Sequence, residues 1–370
     1  LTSRPMHSVD TRLYYNYLDK ANDSTVITTI EPSGDVATNS DTLFGYRKND
    51  AGIDVGFHLP LESKAEAGYE YRAIDRSNRP IVEKTTDNTV HVQLINRSLD
   101  FMTGKIRYEH LFRDTDSGEI VPPGTTAADA DFFRLFLGRF DAIDKDEDKA
   151  ELDLSFFLLP NVDLGFEYRW KKNDYKDTII GRTNDKRHEF YGDILWRLPR
   201  QSTLSAFAGY EIIKLDSTHY SWNSANSSAD PLVNDGNPAS FLWTQDTDDD
   251  FWTYGISVRT PIVPKVLDAA LSWRQDRSDG EVDFTTQGPT PLIDIGNSDD
   301  YDLKLLEATL IYALAPKTDI TLGYIYERFK YNDLKLDNYQ YTPAQAYLSG
   351  VYTDLDYNAN IGYLLLSYKF

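Results

Sequence analysis

The stretch Asn358 to Phe370, NANIGYLLLSYKF, alternates with a period of two: Gly362, Leu364, Leu366, Tyr368 and Phe370 share one face. Side chains that repeat every second residue lie on one side of a strand, whereas a helix repeats at 3.6. The stretch therefore reads as a β-strand with an apolar face that ends on an aromatic ring. A soluble sandwich can also end on such a strand, so the rest of the chain has to decide the fold.

Composition narrows the choice. The 370 residues include 25 Tyr but 2 Met, a bias toward strand formers and toward side chains suited to a membrane–water boundary. A mean hydropathy of -0.50 excludes a helical membrane protein, and no apolar run approaches the roughly 18 residues of a transmembrane helix. It does not exclude a membrane barrel, in which only every second residue of a strand meets lipid. With no cysteine there is no disulfide, thiolate metal site or C-x-x-C-H haem attachment in these residues. A net charge of -21 argues against a nucleic-acid partner, because phosphate binding draws on Lys and Arg.

The two-beat pattern recurs along the whole chain. Leu13, Tyr15 and Tyr17 alternate with Arg12, Tyr14 and Asn16; Ala65, Ala67, Tyr69 and Tyr71 with Glu66, Glu70 and Arg72; Leu152, Leu154 and Phe156 with Glu151 and Asp153. Counting such segments predicts about 14 strands, most near the 9 to 11 residues that cross a bilayer when tilted. Short connections at Pro60, Arg97, Pro160, Pro199, Pro261 and Pro316 alternate with long polar ones such as 19–40, 113–148, 214–250 and 329–357. Loops sorted by length onto two rims are the layout of an antiparallel up-and-down transmembrane β-barrel, with short periplasmic turns and long extracellular loops. The expectation is a single outer-membrane barrel domain over residues 1–370 in a Gram-negative bacterium. The closing strand is then similar to the terminal strand by which such barrels are recognised by the assembly machinery, with Gly362, Leu364, Leu366, Tyr368 and Phe370 as the insertion signal. Leu1 to Pro5, LTSRP, reads like the end of a further strand entering a short turn, which points to the C-terminal part of a larger barrel.

An arginine or lysine on the lipid face at mid-membrane costs roughly 2 to 4 kcal/mol, so mid-strand charges belong in the lumen. That rule assigns to the lumen Arg12, Glu66, Glu70, Arg72, Lys105, Arg107, Glu109, Glu151, Asp153, Glu167, Arg169, Asp193, Arg197, Glu211, Arg259, Arg274, Glu307 and Glu327. Either the wall pairs its own charges and tolerates water, or it meets a solute or an inserted protein. Tyr17, Trp170, Trp196, Trp252 and Trp273 fit an interfacial girdle.

Motifs for chemistry are scarce. Asp144, Asp146 and Asp148 start like a calcium loop, but Lys149 stands where the turn glycine belongs and Ser155 where the bidentate glutamate belongs. Asp246 to Asp250, DTDDD, reads as a solvated loop. His7, His58, His91, His110, His188 and His219 show no ligand spacing, and no nucleophile elbow is present, so neither a catalytic nor a metal site is expected. Phe132 to Phe140, FFRLFLGRF, breaks the alternation and is predicted as a short amphipathic helix.

LTSRP at the start with YYNYLDKAND after it, Phe140-Asp141-Ala142 running into DKDEDKAEL, Asn173-Asp174-Tyr175 followed by Gly181-Arg182-Thr183-Asn184, and the closing strand together resemble the MtrB/PioB family of outer-membrane barrels. Lys145 and Arg182 depart from the family pattern, which has Arg and Leu there. The resemblance implies a porin–cytochrome conduit. Such a barrel binds outer-membrane lipid and sheathes a multihaem c-type cytochrome, passing electrons to a surface cytochrome or mineral. Haem c then sits in the partner, and this chain carries no cofactor. The alternative is a general or substrate-selective porin for small solutes.

Overall fold

The computed structural model describes residues 1–25, 28–30, 38–40, 43–77, 83–116, 137–138, 143–176, 178–221, 241–286, 288, 294–333 and 355–369. The strands are β1 (Thr2–Met6), β2 (Val9–Lys20), β3 (Thr28–Ile30), β4 (Thr38–Ser40), β5 (Gly45–Leu59), β6 (Ser63–Ser77), β7 (Lys84–Leu99), β8 (Met102–Asp116) and β9 (Leu137–Gly138). They continue as β10 (Lys145–Leu159), β11 (Val162–Tyr175), β12 (Ile180–Arg197), β13 (Thr203–Ser221), β14 (Phe241–Val263), β15 (Leu267–Thr286), β16 (Asp300–Ala315), β17 (Thr318–Asn332) and β18 (Tyr357–Tyr368). Fifteen of them form one antiparallel up-and-down meander from β1 to β18, while β9 adds a short parallel pairing to β12 and β3 pairs β4 apart from the main sheet.

The fourteen strands expected from alternation are all present. The fifteenth is β1, formed by the LTSRP segment, which hydrogen-bonds to β2 through Thr2–Arg12 and Ser3–Thr11. Of the predicted helix at Phe132–Phe140 only the backbone of Leu137–Gly138 is described, as strand; the rest, like Phe370, lies outside the described residues.

Strand length is where sequence and structure part. The long strands run well past a bilayer's need, to 23 residues in β14, because the hydrogen-bond ladder continues into stretches that read as loops. The pairing of β13 with β14 extends to Ser221–Phe241, and that of β6 with β7 to Asp75–Lys84. Asp246 to Asp250 is thus the middle of a strand and not a loop, with Lys214 Nζ 2.7 Å from Asp248. Polar residues on both sides erase the alternation there, but backbone pairing does not need it.

Two short turns share the sequence Leu-Pro-x-x-Ser and one geometry. Leu61 and Glu62 (φ 58° and 48°), and Arg200 and Gln201 (φ 61° and 63°), occupy the left-handed region that L-residues avoid. Each such residue costs roughly 1 to 2 kcal/mol. Replacing Leu61-Glu62 by Asn-Gly is therefore expected to raise the unfolding temperature in detergent; an unchanged midpoint would show that the turn carries no such strain.

Directly opposed residues in an antiparallel pair face the same side, so the registers sort every strand onto two faces. One face carries Leu152, Leu154 and Phe156 of β10 beside Leu164, Phe166 and Tyr168 of β11, and continues to Leu322, Leu364 and Leu366. Leu364 and Leu366 are 71% and 70% exposed, an apolar band open to the surroundings. At both margins of the sheet the opposite face is braced by a tyrosine lying over a glycine. Tyr14 on β2 crosses Gly52 of β5 to donate to Glu70 of β6 at 2.8 Å, and Tyr363 on β18 crosses Gly323 of β17 to reach Glu307 of β16 at 3.2 Å. A Cβ on Gly52 or Gly323 would meet the ring at 2.4 or 2.0 Å, so each glycine makes the space.

Candidate functional site

The register brings all eighteen mid-strand charges named above onto the face opposite the apolar band. Gln93, Arg107, Glu151, Arg169, Glu189 and Glu211 form one continuous row across β7 to β13. Neighbours in these rows pair: Lys105 with Asp153 at 2.8 Å, Arg107 with Glu109 at 2.5 Å, Arg169 with Glu167 at 2.8 Å, and Arg187 with Glu211. Arg72 bridges Asp50 and Glu70, both at 2.8 Å, and Arg12 reaches Asp54 at 2.6 Å. Toward the short turns Arg197 pairs with Asp163 and Arg259 with Asp268; further along, Arg274 pairs with Asp276 and Glu327 accepts from Tyr357. Asp193 lies across Gly165 of β11. Such half-exposed pairs stabilise by only about 0 to 1 kcal/mol each, so the wall is compatible with water and with a polar partner alike.

One part of this face is buried. Glu147 accepts from three lysines: Lys145 at 2.8 Å, Lys149 at 2.6 Å and Lys171 at 3.1 Å. Lys145 also donates to Asn173, which donates to Asp185, as does Tyr175. The cluster lies on the long-loop side of the apolar band, within the DKDEDKAEL segment. Burial works against the Glu147 carboxylate, but hydrogen bonds from Lys145 and Lys149 outweigh it and hold its pKa down to about 2. Burial lowers the Lys145 pKa. The Lys145 ammonium thus reaches two partners, Glu147 and Asn173.

From β14 onward the same face changes character. Phe251, Tyr301, Phe329, Tyr331 and Tyr357 form a chain of rings with centroids 5.5 to 6.2 Å apart. Sequence reasoning by charge did not find them. The signal was there in parity: Tyr301 shares its beat with Glu307, and Phe329 with Glu327. The face therefore carries charge from β2 to β17, and over β14 to β18 a cluster of aromatic rings joins it.

On the apolar face the expected girdle residues Tyr17, Trp170, Trp196, Trp252 and Trp273 all appear, and a second element joins them. Tyr15 donates to Asn49, Tyr69 to Asn88, Tyr108 to Asp148, Tyr210 to Asp250 and Tyr324 to Asn360, at 2.5 to 3.0 Å. Every acceptor sits two residues beyond the tyrosine's direct partner, toward the long-loop rim. The row marks where the apolar band ends. Asp148 serves here, accepting also from His110 at 2.6 Å, and Asp144–Asp148 runs into strand β10 instead of wrapping an ion.

The whole chain, residues 1–370, matches the family model of the outer membrane beta-barrel porins MtrB/PioB. The outer membrane protein MtrB of Shewanella baltica (strain OS185) is 23% identical over 215 residues, 56% of this chain and 30% of that protein, so the chain spans about a third of its curated relative's length. Among solved structures, the copper transporter OprC aligns at 9% identity and a TM-score of 0.44, covering 88% of this chain and 59% of that one. The anion-selective porin from Comamonas acidovorans aligns at 8% identity and a TM-score of 0.32, covering 88% and 90%.

Proposed function

Because the chain belongs to the MtrB/PioB family of outer-membrane β-barrel porins, we propose that it sheathes a multihaem c-type cytochrome in its lumen and so lets electrons cross the outer membrane. The apolar band meets lipid, and the face carrying the eighteen charges lines the lumen. Gly362, Leu364, Leu366, Tyr368 and Phe370 present the closing strand to the assembly machinery. The observation that carries the reading is the two-sided sheet: one face carries the apolar band, and the other is charged across its width with a cluster of aromatic rings added over β14 to β18. A wall of that kind can hold a folded protein surface, which also mixes charge and apolar patches.

Size supports it. Strands about 4.8 Å apart and tilted by about 40° supply, for fifteen of them, roughly 90 Å of circumference, or about 30 Å between opposite backbones if curved into a cylinder. The chain's part is geometric and not catalytic: it holds the haem protein, and its low-dielectric wall separates that protein from lipid. With no cysteine in its 370 residues, it has no thiol to hold haem c or to compete for electrons.

The porin alternative fits the water-compatible ion pairs. Purification of the tagged protein from its native membrane separates the two. Haem absorbance that co-elutes with the barrel at a fixed ratio is the expected result. A barrel that conducts ions in planar bilayers and elutes without haem would overturn the sheath in favour of the porin.

A further inference from the structure

Three adjacent strands bring together side chains that are far apart in sequence. Asp54 on β5, Glu66 on β6 and His91 on β7 each offer a ligand atom, and these atoms lie within 4.8 Å of one another. His91 Nε2 stands 3.2 Å from Asp54 Oδ1, with both side chains more than nine-tenths buried. They meet across the strand between them because the residue opposite both is Gly68. A Cβ there would sit 2.4 Å from Asp54 Oδ1 and from His91 Cε1, in the space where the two groups converge. We propose that Asp54, Glu66 and His91 form a binding site for a divalent transition-metal cation on the charged face of the sheet.

Ligand chemistry selects the class of ion. Two carboxylate oxygens and one imidazole nitrogen suit zinc, manganese, iron(II) or cobalt(II), whereas calcium and magnesium favour all-oxygen shells. Three protein ligands leave at least one position for water, as in open zinc sites. A cavity of about 600 Å³ adjoins the cluster, lined among others by Asp10, Arg12, Asp54, Lys64 and Glu66, and gives room for that water and for entry.

Two cations neutralise the carboxylates from the outer side. Arg12 Nε lies 2.6 Å from Asp54 Oδ2, and Lys64 Nζ lies 2.9 Å from Glu66 Oε2. Their side chains are 60% and 32% exposed, against 8% for Asp54, so they can swing into water when a dication takes their place. Asp54 keeps its other oxygen toward His91. Metal binding is thus a competition between a dication and two tethered monocations, and weakening either competitor should strengthen it.

The test uses the purified full chain in detergent, stripped with chelator and titrated with cobalt(II) alone. A visible d–d absorption band saturating with one ion bound at this site is expected, with competition by zinc. His91→Ala should weaken binding by about 100-fold or more, and Gly68→Ala should do the same without removing a ligand. Arg12→Gln should tighten binding several-fold, which a purely structural Arg12–Asp54–His91 network does not predict. Heat-modified mobility on gels confirms that each variant is folded, and His188→Ala serves as a control. No cobalt binding by the wild type at millimolar metal, or binding unchanged in both His91→Ala and Gly68→Ala, would overturn the proposal. The result is independent of whether a cytochrome occupies the lumen.

Discussion

Leu154→Arg is expected to remove the protein from the outer membrane, while its neighbour Asp153→Arg leaves insertion and yield close to wild type. Leu154 opposes Gly104 and Phe166 within the apolar band, where an arginine costs roughly 2 to 4 kcal/mol near the bilayer midplane. Asp153 opposes Lys105 and Glu167 on the other face and pairs with Lys105 at 2.8 Å with one-third of its side chain exposed. Losing that pair costs about 1 kcal/mol or less, and Glu151 stands 3.5 Å from the same lysine to take its place. Membrane fractionation followed by heat-modified gel mobility reads both variants. Equal recovery of the two would reverse or abolish the assignment of faces.

Glu147→Gln should lower the stability of the purified barrel more than any single change on the charged face. The substitution keeps the shape but leaves Lys145, with 11% of its side chain exposed, without a carboxylate and next to two further lysines. Removing one partner from a buried pair typically costs about 3 to 5 kcal/mol, because the other charge stays desolvated. Lys145→Met in the Glu147→Gln background should recover most of the loss. The native protein should also carry a matching acid sensitivity. A carboxyl held at about 2, below its ordinary 4.5, stabilises the fold above that ordinary value and loses its contribution as pH falls toward 2. Tryptophan fluorescence during thermal unfolding between pH 6 and pH 2.5 should therefore show a steeper fall for wild type than for Glu147→Gln. Parallel curves would mean that Glu147 does not hold the cluster.

Much of this was legible in residue order because a sheet with one apolar face writes its period directly into the chain. Leu152, Leu154 and Phe156 against Glu151 and Asp153 leave little choice of face. The rim portions were not legible: in 214–219 and 244–250 both faces are mostly polar, so no alternation marks a ladder that backbone groups complete by themselves. The short turn at Pro60 was expected, but its left-handed backbone at Leu61-Glu62 was hidden, since neither residue is one that favours positive φ. Phe251, Tyr301 and Phe329 escaped because charge was used to choose the inward beat, and aromatic residues suit either side. Asp54, Glu66 and His91 could not be grouped at all. Their proximity depends on strand register and on Gly68 between them, and no linear spacing encodes either.

Five tyrosines of the apolar face, Tyr15, Tyr69, Tyr108, Tyr210 and Tyr324, lean one way, each phenol reaching for a polar acceptor nearer the long loops and none of the five reaching back. The sheet consequently has an up and a down that do not depend on its loops. Slid deeper into oil, it would drag a whole row of hydroxyls, carboxamides and carboxylates out of water together; raised, it would lose only greasy contact. Such a collar acts as a one-sided depth stop, so the molecule is expected to ride in the bilayer at one fixed height even when its long loops are trimmed.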